Sequence, residues 1–192
     1  MKRRELLQSA AAISATGLCL NSYAQPLDSF WTVTAAFLYV GKIGRGGWSY
    51  SHEQARLKMQ NHFGSKVKSI YYEEVPETFE ASKVMRDAIK KGADIVFATS
   101  FGFAEPLKGT AQFFPHIAFE HCTGISTTSN IRTYSAKTWE GAYLAGYLAS
   151  KKSLNECIGV LGSIPIPEVI QCVNAYALGA KAANPKCKVL LR

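Results

Sequence analysis

Residues 32–55, "TVTAAFLYVGKIGRGGWSYSHEQA", decide how the rest of the chain is read. The segment opens on a continuous apolar run, 32–41, that ends in glycine and suits a strand buried on both faces. A glycine-rich turn follows. From Ser51 to Phe63 the apolar residues Ala55, Met59 and Phe63 then recur every four positions, as on one face of a helix. A strand buried on both sides that turns through glycines straight into a helix is the first half of a β–α–β unit.

The same alternation continues downstream. "KVKSIYYEE" (66–74) reads as a strand, and Pro76 opens a helix with the stripe Ala81, Val84, Met85, Ala88 and Ile89, stopped by Gly92. "ADIVFATS" (93–100) is a buried strand, Pro106–Phe113 a helix, and "HIAFEH" (116–121) and "NIRTYS" (130–135) are strands. A helix over 137–150 carries Ala142, Gly146 and Ala149, which allow close packing on a sheet. "ECIGVLGS" (156–163), a helix over 167–183 and the strand "CKVLLR" (187–192) complete the series. This order predicts an α/β fold, a parallel sheet flanked by helices with right-handed crossovers. No internal repeat, low-complexity tract or membrane-spanning stretch interrupts it.

The bulk numbers agree. Of 192 residues, 47% are hydrophobic and 19% charged, enough apolar surface for a packed core and too little charge for a disordered chain. The first 24 residues read as an export signal: a basic start, "MKRRELLQ", a short apolar stretch, and Ser22 and Ala24 as the small residues of a cleavage site after Ala24. Arg3–Arg4 followed by Leu6–Leu7 also resembles a twin-arginine signal, so both export routes stay open. The reading places the mature protein in the periplasm. The formal charge of +8 is scattered along the chain, with no arginine-rich helix and no basic–aromatic alternation, which gives nucleic acid no support as a partner. Cys122, Cys157, Cys172 and Cys187 form no CxxC pair and no zinc-spaced set with histidine, so free buried thiols are expected, with no metal and no cofactor.

Open α/β sheets bind ligands outside the carboxyl ends of their strands. Three connections leave such ends here, 41–50, 100–104 and 120–124, and parallel strands put all three on one edge. Trp48 can serve as an aromatic plate for a flat ligand, with Gly46 and Gly47 allowing a sharp turn beside it and Ser49 and Tyr50 adding hydroxyls. Phe101 sits just past a strand end next to Gly102, while Phe103 can turn into the core. Strand alternation sends Glu120 and His121 to opposite sides. Plain packing remains the competing explanation for Trp48 and for both phenylalanines. A different class, a thiol enzyme with Cys122 as nucleophile and His121 as base, lacks a third, orienting group. A third class is an interaction or sensing module that presents its sheet edge to a partner. "GKIGRGG" does not have the spacing of a dinucleotide fingerprint, and there is no P-loop.

Taken together, "GGWSYSHEQAR", "DIVFATSFGF", "FPHIAFEHCTG", "WEGAYLAGYLAS" and "PIPEVIQCVNAYALGAKAANP" resemble, in order and spacing, the BMP (basic membrane protein) family of ABC-transporter substrate-binding proteins, receptors for purine nucleosides and nucleobases. The resemblance implies a type I periplasmic-binding-protein-like fold of two α/β lobes that shut on ligand. It implies no enzymatic role, a purine-like ligand in the cleft and an ABC permease as partner. By this plan Trp48 takes the place of the family's stacking aromatic. Phe101, Glu120 and His121 line the first lobe, and Glu168 opens the first helix of the second. The lobes are expected at 25–152 and 153–192, the second incomplete, with weak ligand binding by this chain alone and self-association through 156–192. Arg45 stands where relatives often carry an acid; an arginine accepts no hydrogen bond, which leaves open a bare base or another flat polar ligand.

Overall fold

The computed structural model describes residues 32–192; the export signal expected at 1–24 lies outside the described residues. The first part of the chain runs β1 (Val33–Leu38), α1 (Trp48–Phe63), β2 (Val67–Tyr72), α2 (Ala81–Lys90), β3 (Ile95–Ala98), α3 (Ala104–Phe113), β4 (Ala118–Cys122) and β5 (Ile131–Tyr134). The five strands form one sheet in the order β2-β1-β3-β4-β5, every pair parallel. The expected α/β architecture is therefore present, and β1, flanked by β2 and β3, is the apolar run that opens the segment quoted above.

Alternation along β1 divides the core between the two faces of the sheet. Ala36 and Leu38 join Val96, Ala98 and Phe119 against α2 and α3, where Met85, Ala88 and Leu107 are fully buried. The stripe expected on α2 is the one that packs there, with Val84 and Ile89 at its margin. Ala35, Phe37 and Tyr39 point the other way, and Phe37 stacks on Phe97 with ring centroids 4.5 Å apart.

The face expected for α1 is wrong. Ala55 and Phe63 are exposed and Met59 is half-buried, whereas Ser49, Glu53 and Arg56 are buried. The sheet surface beneath α1 is itself polar at two points, and this decides which side of the helix turns inward. The Tyr39 hydroxyl donates to Glu53 at 2.9 Å; Arg56 donates to the two Glu53 carboxylate oxygens at 2.7 and 2.6 Å and to the Ser69 hydroxyl at 2.6 Å. A buried ion pair is tolerated when its remaining hydrogen-bonding capacity is satisfied, as here. Hydrogen bonds from Arg56 hold the Glu53 carboxyl below its usual value.

The second part contains α4 (Thr138–Lys152), β6 (Cys157–Val160), α5 (Pro167–Ala183) and β7 (Lys188–Leu191), with β6 and β7 paired in parallel as a separate two-stranded sheet. Gly146 was expected to let α4 approach a sheet. Instead it lets α4 approach α5: a Cβ on Gly146 would run into the Tyr176 carbonyl, and a Cβ on Gly179 into the Tyr143 carbonyl. Two glycines facing each other bring the helix backbones together, so α4 finds its main packing partner in the next helix, α5.

Candidate functional site

The site is built on the carboxyl edge of the five-stranded sheet. Gly47 precedes α1 with φ 87° and ψ −161°, a backbone state open in practice to glycine, and this sets Trp48 as the first helical residue. From there the indole N–H donates to the Thr99 carbonyl at 2.6 Å. Thr99, at the end of β3, is wholly buried and donates its own hydroxyl to the Leu38 carbonyl of β1 at 2.5 Å. The nitrogen of Trp48 is thus committed to the sheet while 39% of the residue stays exposed, its ring 4.9 Å from that of His52.

Thr99 begins the turn that carries Phe101. Residues Phe101–Phe103 make a single 3₁₀ turn in which Phe101 is half-buried and Phe103 wholly buried. His121 is buried on the α2/α3 face, and its Nε2 lies 2.9 Å from the Ser100 carbonyl. A carbonyl partner requires that nitrogen to carry the proton, which leaves Nδ1 bare, packed against Gly124. Burial holds the imidazole below its usual value, so it is neutral at physiological pH. On the other side of the sheet Glu120 is buried, and its Oε1 accepts from Arg132 Nη2 at 2.6 Å and Nε at 2.9 Å. Sequence reading missed Arg132, although strand register places it directly beside Glu120.

The remaining expected residues are spread out. Ser49 is buried, and its hydroxyl accepts the Gly41 N–H at 3.3 Å; Tyr50 is half-buried in the first turn of α1. Glu168, in the first turn of α5, accepts from the Thr138 hydroxyl at 3.3 Å. It lines a cavity of about 270 Å³ with Thr123, Tyr134, Trp139 and Gln171, between the ends of β4 and β5 and the N-termini of α4 and α5. Thr123 has φ 59°, an unusual state for a β-branched residue. A second cavity of about 200 Å³ lies between α3 and the 125–128 loop with His121 in its wall. Trp48, the Phe101 turn and His121 are therefore brought together, while Glu168 joins Trp139, which sequence reading passed over.

The edge does not contain a reactive thiol pair. Cys122 is buried, and burial pushes its thiol up to about 11. Tyr134 is its cross-strand neighbour, and His121 is turned away toward Ser100. Among the described residues, no three His, Cys, Asp or Glu side chains gather closely enough to hold a metal ion. None of the described helices is long and apolar enough to cross a membrane.

Residues 32–192 match the model of the Bmp family, described as "ABC transporter substrate-binding protein PnrA-like". A purine-binding protein of Brucella abortus is 39% identical over 153 residues, covering 80% of this chain and 44% of that protein. A putative ABC transporter glucose-binding protein of Haloferax volcanii is 35% identical over 161 residues, 84% of this chain and 41% of that one. The chain spans less than half the length of these curated relatives. Among solved structures, a solute-binding protein of an ABC transporter system from Conexibacter woesei superposes with a TM-score of 0.62 at 20% identity, covering 84% of this chain and 54% of that chain. At that identity the likeness speaks for the fold, that of the ABC solute-binding proteins.

Proposed function

The chain belongs to the Bmp family of PnrA-like ABC transporter substrate-binding proteins, and on that premise we propose that it receives a flat, polar solute of the purine nucleobase or nucleoside class outside the cytoplasmic membrane and presents it to an ABC permease. The observation that carries this reading is the tether from the Trp48 indole to Thr99, which steers an exposed aromatic face to the strand end that leads into Phe101. In this reading the two rings are the walls that stack on the solute. Tyr50, Glu120 and Glu168 supply polar groups, while Ser49 and His121, whose polar atoms serve the backbone, stand behind the walls. No covalent step is required, in keeping with a family of binding proteins rather than enzymes.

Two lobes belong to the same proposal, expected at 25–152 and 153–192; the packing of α4 on α5 supports a division nearer 135–137. The 270 Å³ cavity at that division is then part of the cleft between them. Export through a cleaved leader follows from the residues 1–24 reading. Self-association through 156–192 is supported by the exposed Leu161, Leu178, Leu190 and Leu191. Sedimentation over a range of concentrations checks it: a monomer throughout removes it.

The names of the relatives differ between purine and glucose, and aromatic rings stack on sugars as well as bases. Calorimetric titration with adenine, adenosine, guanosine, inosine and glucose tests the reading. Binding of a purine that is lost in Trp48→Ala supports it; binding of glucose alone, or purine binding indifferent to Trp48→Ala, overturns the purine assignment.

A further inference from the structure

The turn that carries Phe101 is held by side chains from three separate elements. Trp48 of α1 donates to the Thr99 carbonyl at 2.6 Å, and His121 of β4 to the Ser100 carbonyl at 2.9 Å. From the loop between β2 and α2, the Glu77 carboxylate accepts the Gly102 N–H at 3.1 Å. Glu77 also lies directly over Gly102, where an added Cβ would collide with its Cβ and carboxyl atoms. Residues 99, 100 and 102 each have a side-chain anchor, and the aromatic between them is the half-buried Phe101.

The turn has little to hold it by itself. It is one 3₁₀ turn, a marginal unit, and its Phe103 N–H reaches the Ser100 carbonyl at 3.3 Å, long for such a bond. The same carbonyl is the one His121 engages, and the Phe101 backbone also lies against that imidazole. A hydrogen bond to a charged carboxylate is stronger than a neutral one, and the Glu77 side chain covers Gly102 as well as bonding to it.

We propose that Glu77 and His121 are positioning residues of the ligand rim. They act on the solute through the Thr99–Phe103 turn, by fixing where Phe101 stands relative to the Trp48 ring, and neither touches the solute itself. The proposal rests on the reading of this edge as the rim. It also accounts for a glycine at 102: Glu77 occupies the space a side chain would need.

Two readouts test it in the chain carrying Glu77→Ala, Glu77→Gln, His121→Leu or His121→Asn. The first is hydrogen exchange of the Gly102 amide, with the β2 amides as an internal control for overall stability. Glu77→Ala is expected to speed Gly102 exchange about tenfold with β2 unchanged, and Glu77→Gln, which keeps an acceptor oxygen, to restore protection. The second is titration with adenine and guanosine. Affinity for both is expected to fall by a similar factor, about threefold to tenfold, in Glu77→Ala and His121→Leu, with recovery in Glu77→Gln and His121→Asn. Unchanged Gly102 exchange in Glu77→Ala overturns the proposal, as does faster exchange with full affinity. A wild-type chain that binds neither probe bears on ligand binding by this chain and not on the anchors, and Gly102 exchange then still decides whether Glu77 holds the turn.

Discussion

Replacing Trp48 by phenylalanine separates the two jobs of this residue. Phenylalanine keeps an aromatic face at the rim but removes the N–H that reaches Thr99 at 2.6 Å. Thr99 is 0% exposed, so water does not readily replace the lost donor. Leaving a buried acceptor short of a partner costs about 1–3 kcal/mol. Because 39% of Trp48 is already in solvent, the smaller ring forfeits only part of a full side chain's burial, an addition of less than about 1 kcal/mol at 25 cal/mol per Å². Trp48→Phe should therefore lower stability by about 1–4 kcal/mol, and Trp48→Ala by somewhat more. Ligand stacking is worth about 0.5–1.5 kcal/mol, so the alanine variant should lose about twofold to tenfold more affinity than the phenylalanine variant. Urea denaturation followed by circular dichroism measures the first quantity, and calorimetric titration with adenine and guanosine the second. A Trp48→Phe variant within about 0.5 kcal/mol of wild type would refute the steering role of the N–H. Equal affinities in Trp48→Phe and Trp48→Ala would refute the ring as a ligand wall.

Three further outcomes follow from the same geometry. Gly146→Ala should destabilise by about 1–3 kcal/mol or more, because its Cβ meets the α5 backbone; Gly141→Ala on the same helix, with nothing near an added Cβ, should be neutral or stabilising by denaturant titration. The His121 imidazole sits below its ordinary value of 6.5, so the unfolded chain binds more protons just below that pH. Stability should fall as pH drops from 6.5 toward the depressed folded value and level off beneath it. Melting between about pH 7.5 and 5.5 should show a smaller drop in His121→Asn, with Glu105 and Lys108 of α3, which share the His121 cavity, left intact. Finally, Cys122 should resist a thiol reagent near neutral pH until the protein unfolds, since burial pushes it up to about 11, whereas the half-buried Cys157 and Cys172 react in the native state; fast native labelling at Cys122 would revive the thiol-enzyme alternative.

Much of the fold is legible in residue order because local rules govern it. A strand buried on both faces has no polar alternation to hide, so β1 and β3 stand out as apolar runs, and the α2 stripe at 81, 85 and 88 lies on the buried face its period predicts. Parallel order then places 41–50, 100–104 and 120–124 on one edge, and the Trp48–Thr99 and His121–Ser100 bonds lie there. Long-range pairing is another matter. Nothing in the period of α1 tells that Glu53 and Arg56 turn inward, because the reason is a tyrosine just past β1 and a serine on β2. Glu77 and Arg132 stand in no motif, Trp139 opens one that assigns it no role, and all three gain meaning only from what they face.

The amino-acid sequence by itself determines the α/β alternation, the parallel edge and the family, since strand burial, helix period and motif order are properties of neighbours along the chain. Tertiary structure alone decides which atoms those residues spend on one another. It commits the Trp48 nitrogen to Thr99, the His121 proton to Ser100 and the Glu120 carboxylate to Arg132, and it turns Gly146 toward a helix instead of a sheet. The physical reason is that hydrogen bonds and close backbone contacts form between groups near in space, and such nearness, across 51 residues between Trp48 and Thr99, arises only when the whole sheet has closed.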